Sequence, residues 1–166
     1  MNRISRIFTR SRIARIFAGF ACAIAISEGV LAQTDPLIGT WTFNPARSTV
    51  SQGQIPRGGT ITYQGAESEH SATAEMIDAQ GRPSRVVFTH VYDGQPHPTA
   101  GAAYFDASAY TRLNPSTIIF TRMKDGKLAG VGSGVVSQDG KTLTFTGTGA
   151  SAYGERGNYT LVFEKR

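Results

Sequence analysis

The sequence predicts an all-β protein, an antiparallel up-and-down barrel of about 8–10 strands that follows a removable leader. Three observations carry this expectation. No apolar stripe at helical spacing appears after Ala32. In its place, runs rich in Val, Ile, Thr, Tyr and Phe recur at roughly 8–12-residue intervals. Among them stand Asp93-Gly94, Asp125-Gly126 and Asp139-Gly140, turn pairs in which glycine takes a positive φ at no steric cost. Short links between successive strands favour a meander over long crossovers.

The leader is Met1–Ala32. Arg3, Arg6, Arg10, Arg12 and Arg15 make a positive start, and Ile16–Ile26 is an apolar run. A bilayer span needs about 20 apolar residues, and this run is shorter, with Ser27 and Glu28 directly behind it. Val30-Leu31-Ala32 offers small residues to a signal peptidase. We therefore expect residues 1–32 to be a signal peptide, residues 33–166 the barrel domain, and the mature protein to be periplasmic or secreted.

Cleavage changes the charge. The whole chain carries 17 basic and 12 acidic residues, but five of the arginines and one glutamate lie in the leader. Twelve basic and eleven acidic residues remain, a formal +1. Such a balance gives no basic excess for phosphates and argues against nucleic-acid binding. The one cysteine, Cys22, also lies in the leader, so the mature domain has no thiol for a disulfide, a nucleophile or a metal. No cofactor is expected, no membrane span after cleavage, and a monomer.

The elements follow in order. Gln33–Leu37 is a lead-in, and Ile38–Asn44 the first strand. Pro45–Gly58 lacks apolar periodicity and carries Pro45, Gly53, Pro56 and Gly58, so it is expected to be a loop. Thr60–Ala66 and Ser71–Ile77 are strands, separated from Arg85–Tyr92 by the turn at 78–81. A proline-rich loop then runs from Asp93 through Pro98. Ala107–Leu113 and Thr117–Met123 flank the Asn114-Pro115 turn. Lys127–Val136 lies between two Asp-Gly pairs; Lys141–Thr148 and Asn158–Lys165 complete the set.

Gly39-Thr40-Trp41 opens the first strand and Val162-Phe163-Glu164-Lys165 closes the last. With these ends the chain resembles the calycin barrels, the lipocalins and fatty-acid-binding proteins. It is most similar to small secreted bacterial lipocalin-like proteins with Gly-Thr-Trp-x-aliphatic-Asn-x-Ala-x-Ser. Gly39–Ser48 follows that pattern with Phe43 at the aliphatic place, and Asp93–Pro98 and Ser137–Leu143 match two later motifs. The resemblance implies a closed barrel with a basic residue near the chain end packed over Trp41. It leaves the ligand unnamed.

Alternate residues of a strand share a face, which nominates the site. Gly39, Trp41 and Phe43 share one, with Trp41 expected in the core at a closed barrel end. Phe88, His90 and Tyr92 share another, one apolar surface with two polar handles. Tyr110 and Arg112 stand together, as do Phe120 and Arg122. An inward arginine would anchor a carboxylate, since its fork pairs bidentately, but an outward, solvated arginine is the ordinary arrangement. Gly130, Gly132 and Gly134 fall on one face, where a large side chain, another backbone or a ligand must come close.

Catalysis has little support. His70, His90 and His97 are scattered without metal-ligand spacing, and His97 between two prolines is expected to be exposed. Gly132-Ser133-Gly134 lacks the spacing of a nucleophile elbow. The leading expectation is an exported barrel binding a small apolar or amphipathic molecule. The alternative is a cell-envelope module with a filled barrel and no ligand; an enzyme comes third.

Overall fold

The computed structural model describes residues 35–66, 69–152 and 156–166. The expected leader and its cleavage site lie outside them. Eleven strands appear among the described residues: β1 (Gly39–Phe43), β2 (Thr49–Gln52), β3 (Gly58–Ala66), β4 (Glu69–Ile77), β5 (Pro83–Val91), β6 (His97–Ala100), β7 (Ala107–Asn114), β8 (Thr117–Lys124), β9 (Lys127–Val136), β10 (Thr142–Gly149) and β11 (Arg156–Lys165). Each pairs antiparallel with its neighbours, and β1 closes the ring on β11 with Trp41 opposite Lys165 and Phe43 opposite Phe163.

Two strands fall where loops were expected. β2 lies inside Pro45–Gly58. It pairs with the same edge of β11 as β1 does, Val50 opposite Tyr159 and Thr49 opposite Thr160. β1 and β2 are thus one interrupted strand, and the ring has ten members. A short 3-10 helix, Pro45–Arg47, makes the interruption, capped by the Asn44 side chain, which accepts from the Arg47 amide. Ser48 stitches the gap: its hydroxyl donates to the Asn44 carbonyl at 2.8 Å and accepts from the Val162 amide at 2.9 Å. β6 lies at the end of the proline-rich loop. Its four residues still bridge β5 and β7, with Thr99 opposite Phe88 and His97 opposite Ser108.

Asp125-Gly126 forms the expected tight hairpin between β8 and β9, with φ of 49° and 71°. Two positive φ values in a two-residue loop match the twist of the flanking strands.

The two barrel ends are built differently. At one end the lead-in residues Asp35–Ile38 fold across the opening. Leu37 and Trp41 are buried there, with the Trp41 Nε1–H donating to the Leu37 carbonyl at 2.8 Å. Lys165 Nζ donates to the Pro36 carbonyl at 3.1 Å and stands 4.9 Å from the Trp41 ring centroid. A fully buried tryptophan removes roughly 150–250 Å² from water, which makes this a strong stopper. At the other end, the links 53–57, 78–82 and 101–106 surround a cleft of ≈ 440 Å³.

Candidate functional site

The barrel interior is the candidate site. Alternation along β5 turns Val86, Phe88 and His90 inward, and Tyr92 follows just beyond the strand. Tyr110 and Arg112 point inward from β7, Phe120 and Arg122 from β8. All seven nominated residues therefore face one interior, in two groups.

Toward the stoppered end, Arg112 forms an ion pair with Asp35 and lies over the Tyr92 ring at 4.3 Å. His70, fully buried on β4, has Nδ1 3.0 Å from the Tyr92 hydroxyl and Nε2 3.3 Å from Asp35. The second contact is within ion-pair range but is not aligned as a hydrogen bond. Burial pushes the His70 pKa below its ordinary value, with Asp35 opposing and Arg112 assisting. Burial raises that of the Tyr92 hydroxyl. The group is therefore a neutral imidazole beside a matched carboxylate and guanidinium.

Toward the cleft, Tyr110 and His90 stack at 3.7 Å, and the Tyr110 hydroxyl accepts from Arg122 Nη1 at 2.6 Å. Arg122 is 6% exposed. Its guanidinium is boxed by the rings of Phe88, Phe105, Tyr110 and Phe120 at 4.3–5.3 Å. Its Nε is buried without a hydrogen-bond partner, as is Nδ1 of His90. No described carboxylate pairs with it. Burial drives the His90 pKa well below its ordinary value, and Arg122, His70 and Arg112 push it the same way. His90 is a neutral imidazole against a cation with no described carboxylate. Beside them lies an interior cavity of ≈ 20 Å³, room for one water.

Two expectations change, and of the open alternatives at the glycine face close packing by a large side chain is the one found. The outward, solvated arginine does not occur at either position: Asp35 draws Arg112 in, and the aromatic box holds Arg122. The glycine face leaves no ligand space. A Cβ on Gly132 would lie 2.6 Å from the Phe120 ring, and one on Gly134 2.6 Å from the Phe145 ring. The glycines admit the edges of those rings, so Gly132→Leu would overpack the core. His97 is half-buried on β6, its Nε2 3.0 Å from Asp93.

Asp35, His70 and Phe105 were missed. Asp35 precedes the first strand and Phe105 lies between β6 and β7, outside any periodic run. His70 alternates with buried Ala72, Ala74 and Met76 along β4, a pattern that could have placed it inside. Among the described residues no group of three or more His, Cys, Asp or Glu could hold a metal ion.

The chain matches no protein-family model and no curated protein. Solved structures similar to it include a REP1-NXSQ fatty acid transporter, 13% identical over 78% of this chain and 96% of that one, with a TM-score of 0.49. Another is a redesigned β barrel, mFAP1, bound to DFHBI, 16% identical over 79% and 95%, with a TM-score of 0.46. At such identities no ligand transfers from them to this chain.

Proposed function

We propose that the barrel binds a small amphipathic molecule, its polar end on Arg122 and its apolar body among the surrounding aromatic rings. One observation carries the reading: Arg122 is a buried cation to which the described residues supply a single hydroxyl and no carboxylate. Buried charges are costly unless paired, and a guanidinium fork suits a carboxylate or similar acceptor. We also propose export to the periplasm or outside the cell with removal of residues 1–32, and kinship with the secreted lipocalin-like barrels. Lys165 over Trp41 supports that kinship.

Native mass spectrometry of protein purified from its own compartment tests the binding reading, together with titration of a fluorescent apolar acid into wild type and Arg122→Met. A co-purifying amphipathic molecule, and probe binding lost in the variant, are expected. N-terminal sequencing of the same material should begin near Gln33; a retained Met1 would overturn the export reading.

A second reading is favoured by the interior cavity of ≈ 20 Å³, far below the roughly 300–1,000 Å³ of ligand pockets. A filled envelope module would co-purify with nothing and bind no probe even at high micromolar concentration.

A further inference from the structure

The cavity beside Arg122 has room for about one water, so a ligand needs something to leave. Phe105 is the one member of the box around Arg122 that no strand carries. It is the buried side chain of the 101–106 link, while Phe88, Tyr110 and Phe120 are fixed by the ladders of β5, β7 and β8. Its ring lies nearly parallel to that of Phe88, with centroids 6.3 Å apart and planes 22° apart. Arg122 Cζ stands 4.8 Å from its centroid. Phe88 and the guanidinium are thus two walls of a slot shaped for a flat ring.

The link is pinned at its ends. The Thr99 amide donates to the Asp106 carbonyl at 2.8 Å, the Asp106 amide to the Met123 carbonyl at 2.9 Å, and Gly101 packs against the Arg85 carbonyl. Between those pins, Ala103 and Tyr104 line the ≈ 440 Å³ cleft. Phe105 therefore has space to move into. Ala152 borders both the cleft and the inner cavity, so the two lie next to each other.

We propose that Phe105 occupies the ring site of an aromatic acid, which displaces it, stacks on Phe88 and places its carboxylate on Arg122. This rests on the binding reading above and narrows it. Withdrawal of Phe105 frees a flat slot that adjoins the inner cavity and the ≈ 440 Å³ cleft, which suits a compact acid of one or two fused rings and not an extended alkyl chain. Nε of Arg122 has no hydrogen-bond partner, and with a neighbouring Nη it presents the fork that a carboxylate takes bidentately. Phe105 competes with the ligand, so apparent affinity is reduced by the fraction of molecules in which the slot is empty.

The test uses the exported chain and its Phe105→Ala variant, titrated with 1-naphthoate, 2-naphthol and decanoate. Phe105→Ala should bind 1-naphthoate about tenfold more tightly than wild type, because the competing ring is gone. 2-Naphthol, without the charge, and decanoate, without the ring, should bind both forms more weakly. In wild type, 1-naphthoate should shift the Arg122 Nε–H resonance and the amides of residues 102–105, a readout that needs no variant.

Unchanged naphthoate affinity in Phe105→Ala, or decanoate binding as tightly as naphthoate, overturns this inference. If decanoate binds wild type and shifts Arg122 while naphthoate does not, the amphipathic-ligand reading survives and the aromatic-acid reading falls. If no acid binds either form, both fall.

Discussion

Arg112 and Arg122 enter the same barrel from neighbouring strands and meet opposite surroundings. Arg112, at the stoppered end, finds Asp35 of the lead-in and the Tyr92 ring. Arg122, toward the cleft, finds four aromatic rings, one hydroxyl and no described carboxylate. The histidines follow suit. His70 has Asp35 to oppose the effect of burial, while at His90 burial comes first and Arg122, His70 and Arg112 all push the same way. One end of the interior pairs its cation with a carboxylate of the chain, although Arg112 Nε there also lacks a hydrogen-bond partner. The other holds a buried cation with no described carboxylate beside it.

The largest expected effect lies at the stoppered end. Trp41→Ala should cost about 3–5 kcal/mol in urea melts, the usual range for a large buried aromatic. A loss below about 1 kcal/mol would mean that Trp41 is no stopper.

Asp35→Asn should cost about 3 kcal/mol, because it strands Arg112 and takes the carboxylate from His70. The Arg112 side chain is 21% exposed, which holds the figure at the low end of the range for a broken buried pair. Arg122→Met is the matching variant at the other end. It removes a charge with no described carboxylate partner, so stability should stay within about 1 kcal/mol of wild type or rise. Equal large losses from both variants would erase the contrast.

Acid titration separates the histidines. Both have pKa values lowered by folding, so below about 6.5 the unfolded chain takes up protons that the folded one refuses. Stability should therefore be full above that pH and fall as pH drops through it, by at most about 1.4 kcal/mol per pH unit for each histidine. His90→Gln should flatten this fall more than His70→Gln, since only His70 has a carboxylate to offset burial. The reverse order would show that the cleft-side group has an anionic partner after all.

Much of the barrel was legible because alternation and turn chemistry agree along most strands. Arg-Val-Val-Phe-Thr-His at 85–90 and the Asp125-Gly126 pair each encode local geometry in their own residues. β2 was hidden because Thr49–Gln52 is short and mostly exposed, and its strand character comes from β11. β6 was hidden by Pro98, which a short strand tolerates. The arginines were legible as residues sharing a face with Tyr110 and Phe120. Their inward direction was not, because for Arg112 it depends on Asp35, 77 positions earlier. Phe105 has no period to betray it; only tertiary packing makes a loop phenylalanine part of the interior.

The seam between β1 and β11 reaches beyond architecture. Every other junction of the ring joins strands adjacent in sequence, but this one pairs Trp41 with Lys165 and Phe43 with Phe163. No nascent chain can close the barrel until β11 has emerged, and this long-range pairing raises the contact order and slows folding. Until then, the edges of β1 and β10 are open to pairing with other chains. A circular permutant that joins residue 166 to residue 35 and starts at Gly126 would turn the seam into a local hairpin. The long-range pairing would pass to β8 and β9, whose Asp125-Gly126 turn it cuts, so refolding kinetics would show which junction nucleates the ring.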